Sequence, residues 1–467
     1  MKQSIVNFSK LLEHNDWRWD SEYICFEPLQ NVNLSYLTIG ETLKSSQYGM
    51  SIDMNDNDNG CKIYRMNEIT NMFCDRTINK RAPISDNEIK KYKLYNNDIL
   101  FNRTNSQEFV GRTGIFKTFS DEDIIFASYL IRLKADEDIV LPEYLTVFLN
   151  TKHGIQDVKR RARISINQSN VNAEELKKVK IPIIKKKIQL LIKRIFDTAF
   201  DLIIKSEKYY EQAQFILLSE LGLLNWKPLP NTHFIKNFSD VCKNFRFDSE
   251  YYQPCYDQLV NKIQKYKNGS DTIDNLVSIK DNNYKPIENK LYKYVELSNI
   301  GLYGDITGYT EEIGIMLPSR AKRLIKTNDI IVSSIEGSLS CIALINEEFN
   351  NAICSNGFFV LESEYFLPES LLILMKSVIG QFQLKKGCIG TILTSINKDE
   401  FKKIVLPKID NIQVKIKNQI IDSVNYRRIS DLLLTIARKA VEIAIDNDEK
   451  KSEQYINDEV NKLGVKI

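Results

Sequence analysis

The sequence predicts an α+β protein: two similar domains joined by two long antiparallel helices that form a coiled coil. Three observations predict it. The 467-residue chain says nearly the same thing twice. Each copy ends in a long stretch of helical apolar periodicity. The copies themselves read as short β-rich runs bounded by Asn, Asp and Gly.

The duplication comes first, because an internal repeat decides the architecture. Arg18-Trp19-Asp20-Ser21-Glu22-Tyr23 returns 228 residues later as Arg246-Phe247-Asp248-Ser249-Glu250-Tyr251. Asp98-Ile99-Leu100-Phe101 matches Asp329-Ile330-Ile331-Val332, and Pro142-Glu143-Tyr144-Leu145 matches Pro368-Glu369-Ser370-Leu371. Leu149–Gly154 matches Met375–Gly380, Asn172–Lys178 matches Asn397–Lys403, and Ile181-Pro182 matches Leu406-Pro407. The offset drifts by a few residues, as short insertions in loops would allow.

Within the first copy, Ile63–Met66, Asp98–Phe101, Thr113–Phe116 and Ile131–Leu133 read as strands. Met50–Gly60 reads as a polar loop. Pro142–Leu149 reads as a helix with Pro in its first turn. Beyond it, Ile188, Ile192, Ile195, Ala199, Leu202, Tyr209, Ala213 and Ile216 step by four and three, with Ser206 in one slot and Gly222 as the stop. Tyr426, Ile429, Leu433, Ile436, Ala440 and Ile443 make a second such seam. Each stripe needs a partner. Packing one on the other, antiparallel, gives a rod of roughly 50 Å at about 1.5 Å per residue; packing each on its own domain is the alternative. The resulting divisions are 1–185, a helix over 186–225, 226–408, and a helix with a charge-rich, frayed tail over 409–467.

Composition narrows the function. The hydrophobic fraction of 43% supports ordinary globular cores. No run of about 18 apolar residues spans a membrane, and the start lacks a signal-peptide core, so the cytoplasm is the expected location. The eight cysteines form no Cys-x-x-Cys pair, which favours free, buried thiols over a zinc site. Net charge is only +3, but between Lys159 and Arg194 twelve Lys/Arg face two acids, and between Gln383 and Gln419 eight face three. A basic stretch recurring at matched positions suggests a polyanion contacted twice; a solvated face is the alternative.

The plan of domain, helix, domain, helix resembles the specificity subunit of type I restriction–modification systems. Lys93–Gly111 is similar to that family's strand-and-loop segment ending in Arg-Thr-x-Ser and Val-Gly, and Ala127–Leu133 to the strand that follows. Gln168–Asn172 through Ile181-Pro182, with Gln189 beyond, resembles the entry to its spacer helix. The resemblance implies two target-recognition domains (1–185 and 226–408), each reading half of a split double-stranded DNA target. It further implies adenine methyltransferase subunits docked on the helices and a translocating, ATP-dependent restriction subunit. S-adenosylmethionine, ATP and magnesium would sit on those partners, with none on this chain.

Major-groove readout needs Arg for guanine, Asn or Gln for adenine, and Ser or Thr for several edges. The first domain offers Arg103, Thr104, Asn105, Ser106 and Gln107, with Arg112 close behind. Arg160, Arg161 and Arg163 are expected to grip phosphates, beside Ser165, Asn167 and Gln168. The second domain offers Ser333, Ser334 and Ser338 where the first has its arginine loop, and Lys385, Lys386, Thr391, Thr394 and Asn397 where the first has its arginine cluster. Ser333–Ser338 lacks an arginine matching Arg103. Trp17, Trp19, Tyr23, Phe247, Tyr251 and Tyr252 are expected in cores rather than stacked on bases. Asp20 and Asp248 are expected to cap helices or bind neighbouring cations.

No Pro-Pro dipeptide occurs, so the aminomethyltransferase tetrapeptide is missing; there is also no Gly-Lys-Ser/Thr phosphate loop and no Gly-x-Ser-x-Gly elbow. The expectation is a non-catalytic, sequence-specific DNA-binding subunit of a phage-defence system. Two alternatives stand beside it: an enzyme with a degenerate nuclease or methyltransferase site, and a scaffold that binds no DNA.

Overall fold

The structure, a computed structural model, describes residues 23–24, 28, 30–56, 59–166, 168–228, 233–244, 246–390 and 394–467. It divides into two units, Met1–Ile203 with Arg427–Ile467, and Ile204–Tyr426, so each of the two longest helices is divided between them and is given below with the unit in which it starts.

The first unit contains β1 (Tyr36–Thr38), β2 (Leu43–Tyr48), β3 (Cys61–Tyr64), β4 (Ile69–Thr70), β5 (Phe73–Cys74), β6 (Arg81–Ala82), α1 (Asp86–Tyr92), β7 (Ile99–Asn102), β8 (Thr104–Asn105), β9 (Thr113–Ile115), β10 (Ile124–Phe126) and β11 (Leu130–Ala135). Then come α2 (Pro142–Leu149), α3 (Lys152–Arg161), β12 (Arg163–Ser165), β13 (Gln168–Asn170), α4 (Ala173–Lys177), β14 (Lys180–Pro182) and α5 (Lys186–Glu220). The main sheet is ordered β2-β11-β7-β9-β5-β4. β7 lies in its middle, buried on both faces, which is why Ile-Leu-Phe reads as an unbroken apolar run rather than an alternation.

The second unit contains α6 (Phe238–Asn244), α7 (Pro254–Gln264), β15 (Ser270–Thr272), α8 (Ile273–Leu276), β16 (Ser278–Ile279), β17 (Leu291–Val295), β18 (Thr310–Ile313), β19 (Ala321–Leu324), β20 (Ile330–Ser333), β21 (Ile342–Leu344), β22 (Ile353–Ser355) and β23 (Phe358–Glu362). α9 (Pro368–Lys376), α10 (Val378–Gly387), β24 (Cys388–Ile389), β25 (Ser395–Ile396), α11 (Lys398–Lys402), β26 (Val405–Pro407) and α12 (Gln413–Asp446) complete it. Its sheet order β16-β23-β20-β21 repeats β2-β11-β7-β9, and β15-β26 repeats β1-β14.

The matched residues of the repeat do matched work. Asp98 and Asp329, both buried, each accept a 2.9 Å bond from the backbone amide three residues earlier, closing the turn into β7 or β20. Thr151 and Ser377 each turn a hydroxyl back onto the preceding helix, to Phe148 O and Leu374 O. Gly154 and Gly380 are glycines because a Cβ would lie 2.2 Å from Phe148 O and 2.4 Å from Met375 O, where two helices meet. Asn172 and Asn397 cap α4 and α11. Gln189 and Gln413 each accept the amide at the start of α2 or α9, from Leu141 and Leu367.

The long helices pair antiparallel within each unit. In the first, Ser430 Oγ donates to Ala199 O at 2.8 Å, while Lys185 meets Glu449. In the second, Ser423 Oγ donates to Ser206 O at 2.8 Å, while Glu220 meets Asn411. One partner's number falls as the other's rises. The expected seam on α5 is buried at Ile188, Ile192, Ile195, Ala199, Leu202, Ser206 and Ala213, and on α12 at Leu433, Ile436 and Ala440, but not at every position. Tyr209 and Tyr426 are only half-buried and stack on each other, and Ile216, Ile429 and Ile443 are likewise half-buried. The fully buried positions at seven-residue steps are small: Ala199, Ser206 and Ala213 on α5, and Ser423, Ser430, Ala437 and Ala444 on α12. Small residues let the backbones approach closely enough for each serine to reach a carbonyl across the seam.

Three expectations are corrected. The tail after Asn447 is a helix, α13 (Glu449–Leu463), capped by Asp448 and stopped by Gly464 at φ +65. Phe247 is 80% exposed rather than core, whereas Tyr23, Tyr251 and Tyr252 are buried. Cys242 is exposed and Cys341 half-buried, unlike the other described cysteines. Gly222 ends α5 as expected, at φ +63. Arg18–Glu22 and Trp17 lie outside the described residues. No described helix is long and apolar enough to cross a membrane.

Candidate nucleic-acid interface

The first unit joins two loops that are about sixty residues apart in sequence. β7 runs out of the main sheet through Arg103 into β8. There Asn105 pairs with Ser169, and Thr104 with Asn170, on the hairpin β12-β13. The result is a three-stranded sheet, β12-β13-β8. Arg103 is its hinge: its amide donates to Tyr129 O at 3.0 Å, and its carbonyl accepts from Val171 N at 2.9 Å. Both expected reading segments of this domain therefore meet in one small sheet, with Thr104 on the face of Arg163 and Gln168, and Asn105 on the other.

Directly opposed residues in an antiparallel sheet share a face. Arg163 opposes Asn170, Ser165 opposes Gln168, and Thr104 extends the first row. The Asn170 amide is held by Thr104 Oγ1 at 2.6 Å. Arg163, Ser165 and Gln168 are exposed, and they offer guanine, general and adenine readout chemistry side by side. Asn167 lies outside the described residues.

Arg103 is half-buried. Its guanidinium stacks on the Tyr48 ring at 4.9 Å and donates to Ser128 O at 3.3 Å, while Tyr48 Oη accepts the Ala173 amide. The side chain is thus held in place before any ligand arrives. Beyond it, Asn105 Oδ1 accepts the Ser106 amide, and Ser106 and Gln107 are exposed on the turn. Gly111, at φ +90, returns the chain by donating to Asn102 O. Arg112 is exposed and lies over the Phe109 ring at 3.9 Å.

Arg160 and Arg161 do not fit the phosphate grip expected of them. They are 6% and 4% exposed. Arg160 Nε donates to Asp157 Oδ1 at 2.5 Å, and its Nη1 to Tyr23 O at 2.9 Å. Arg161 Nε donates to the same Asp157 oxygen at 3.0 Å and lies 3.5 Å from Glu175. Two arginines around one aspartate form an internal rivet binding α3 to α4 and to the Lys180 amide. A run of basic letters at a helix end looked like surface because Asp157, one turn earlier on the same helix, was left out of the count and Glu175 sits elsewhere in the sequence.

The second unit repeats the frame and changes the readers. Its hairpin β24-β25 meets the chain after β20 through an Ile335–Ser395 bridge. Ser333 is fully buried, with its Oγ 3.0 Å from Ser338 Oγ and accepting the Ile335 amide. Ser334 Oγ donates to Gly357 O, and Ser338 Oγ to Ile335 O. These serines fold their own loop, which corrects their assignment as base readers. Lys386 is the second unit's Arg160: it lies 5.2 Å from the Tyr251 ring and 3.2 Å from Asp257. Burial opposes ionisation of Asp257, but bonds from Lys236 and Lys386 outweigh it and hold that carboxyl below its usual value. Asn397 is a helix cap, as noted above. Lys385 is exposed, 3.8 Å from Glu250. Thr394 is half-buried, and its carbonyl accepts the Glu336 amide. Thr391 lies outside the described residues.

The repeated motif also finds its purpose. Arg246 is bidentate to Asp248, donates to Lys386 O and Cys388 O, and stacks on Tyr251 at 4.2 Å. The guanidinium holds the Asp248 carboxyl below its usual value. The motif thus fastens the root of the hairpin. The sequence had placed Asp248 beside a cation, but nothing in it pointed to Tyr48 or Asn170.

Residues 37–215 match the family model of the type I restriction modification DNA specificity domain. The chain is 28% identical over 144 residues to the MjaX type I restriction enzyme specificity subunit of Methanocaldococcus jannaschii, covering 31% of this chain and 34% of that one. It is 25% identical over 169 residues to the EcoKI specificity subunit of Escherichia coli K12, covering 36% of each. The alignments thus span about a third of these curated relatives. A crystal structure of a type I system S subunit from M. genitalium aligns over 94% of this chain and 99% of that one, at 12% identity and a TM-score of 0.34. The HsdS subunit from Thermoanaerobacter tengcongensis aligns over 90% and 98%, at 10% identity and a TM-score of 0.30.

Proposed function

We propose that this chain, whose residues 37–215 match the type I restriction modification DNA specificity domain, is the non-catalytic, DNA-reading subunit of such a system. Each unit reads one half of a split duplex target. The single observation that carries this reading is the register that brings Arg103–Gln107 and Arg163–Gln168 onto one small sheet, with the same frame rebuilt around Ile335 and Ser395 in the second unit. Two frames of one design with different exposed side chains suit two half-sites of different sequence. Adenine methyltransferase subunits would supply S-adenosylmethionine chemistry, and a restriction subunit ATP- and magnesium-dependent cleavage, in the cytoplasm.

Arg103→Ala tests it. An arginine bidentate to guanine contributes about 1–3 kcal/mol of discrimination, so one base of one half-site should relax by about five- to 150-fold. The readout is methylome sequencing of a host carrying the chain and its methyltransferase subunits. Equal relaxation in both half-sites, or methylation without a split motif in the unaltered system, would sink the proposal.

A further inference from the structure

We infer that the outer end of the β17-β18 hairpin in the second unit is a protein-docking surface that takes an extended, basic segment of a partner chain. β18 is the outer strand of the sheet β18-β17-β22-β19. Leu291 and Ile313, 54% and 36% exposed, stand directly opposite each other on β17 and β18. Ile287, Ile315 and Met316 are 61%, 63% and 66% exposed. Backbone bonds gather them: Gly314 N to Lys290 O, Ile315 N to Glu288 O, and Lys290 N to Ile287 O. The two segments touch so closely that a Cβ on Gly314 would lie 2.1 Å from Ile287 O. Five large apolar side chains gathered at the end of an open strand are unlike isolated exposed residues, which need no explanation.

Charge selects the occupant. The only charges on β18 are Glu311 and Glu312. Lys293, opposite Glu311 on β17, is turned to Glu348 at 3.0 Å, and Lys290 lies over the Tyr292 ring; Glu312, opposite Tyr292, has no cation across from it. Two carboxylates on the strand turn phosphate away. A second copy of the chain, pairing β18 with β18, would line four carboxylates along one ladder, and like charges opposite one another are unfavourable. A partner strand with Lys or Arg beside Glu311 and Glu312 and apolar residues beside Ile313 meets both demands, with main-chain bonds supplying affinity. Glu312 Oε1 presently accepts the Ile313 amide at 2.9 Å; a partner carbonyl could take that amide and release the carboxylate to a cation.

Among the described residues, the first unit has no counterpart. There β3 pairs parallel with β10, as β17 does with β22, but its other neighbour is β6. β6 is two residues, Arg81 half-buried and Ala82 buried. The surface therefore binds one segment per chain.

The test uses the full chain and two fluorescent octapeptides, each carrying two adjacent charged residues flanked by isoleucines, one with Lys-Lys and the other with Glu-Glu. The Lys peptide should bind about tenfold or more tightly than the Glu peptide, the size of a few favourable cross-strand pairs. It should also slow amide exchange over 287–291 and 310–316. Glu311→Lys with Glu312→Lys should invert the preference, and Ile315→Ser with Met316→Ser should weaken both peptides. Equal binding, or a preference that survives charge reversal, overturns the inference. So does protection of this hairpin by duplex DNA, or self-association that the serine variants abolish. DNA reading through Arg103 stays intact in all these variants, so failure here is separable from failure of the proposed function.

Discussion

Replacing Asp157 by alanine should destabilise the first unit by about 3–5 kcal/mol, the usual cost of leaving buried charges without their counter-ion. Three contacts vanish: from Arg160 Nε at 2.5 Å, Arg161 Nε at 3.0 Å and the Lys180 amide at 3.3 Å. The aspartate is only 4% exposed, so water does not replace them. Arg161 keeps Glu175 at 3.5 Å, and Arg160 keeps the Tyr23 carbonyl at 2.9 Å. That retention puts the expectation near the lower end, about 3 kcal/mol, still a large part of a typical 5–15 kcal/mol stability. Urea unfolding measures the total, since guanidinium would screen the charges. Hydrogen exchange locates it: amides of 152–182 should open first, while 378–396 in the second unit are unchanged. A loss under about 1 kcal/mol would refute the internal rivet. A companion variant, Arg160→Ala, separates rivet from phosphate grip. A lost phosphate contact lowers the salt slope of DNA binding by about one and leaves stability alone; a lost rivet does the reverse.

Burial pushes the Lys376 ammonium down to about 8, where it donates to Ser340 O and Ile342 O. With an unfolded value near 10.5, the unfolded chain binds more protons between those limits. Stability should therefore rise from about pH 8 to about pH 10.5, and Lys376→Met should flatten that stretch of a urea-midpoint titration; a falling curve would contradict the burial argument. Ala199→Leu should cost about 1–3 kcal/mol by overpacking the helix seam, and Ser430→Ala about 1 kcal/mol for one lost bond, both read by thermal or urea unfolding; a neutral leucine would mean the helices are not in close contact. Inserting seven residues into α5 between 188 and 216 adds about 10 Å. At 3.4 Å per base pair, methylome sequencing should show the unread gap lengthened by about three base pairs with both half-sites intact; an unchanged gap would mean that this helix does not set the spacing.

How much of this was legible depends on what each residue does. Asp98, Thr151, Gly154, Asn172 and Gln189 stood out because each has a matched counterpart or a family resemblance, and each proves to be a cap, a turn closure or a close-approach point. Such roles depend on local chemistry and recur wherever the local geometry recurs, so they survive in both copies and can be read from text. The helix seam was legible in period and, on α5, in phase; on α12 the row Ser423, Ser430, Ala437 and Ala444 was missed, because large apolar residues draw the eye while the close contact is made by Ala and Ser. Arg160 and Arg161 were legible as charge and not as burial: Asp157 stands at ion-pair spacing one turn before them, but that spacing is equally common on a solvated helix face.

The same reasoning explains why matched positions mislead when the question is readout. Asn397 and Lys386 drew attention by standing where the first copy has Asn172 and Arg160, and correspondence of that kind marks scaffold. Ser333, standing where the first copy has Asn102, is spent on its own loop. A residue that reads a base is free to differ between copies, because nothing in the fold holds it constant. Arg103, held on a braced backbone in the first unit, is replaced at the corresponding place in the second by Ser334. The positions where the copies disagree on exposed, well-braced backbone are therefore the ones to mutate first. If exchanging Ser106 and Gln107 for other polar residues leaves the first half-site unaltered in methylome sequencing, while substitutions at matched positions such as Asn172 change its sequence rather than its strength, that assignment of roles is inverted.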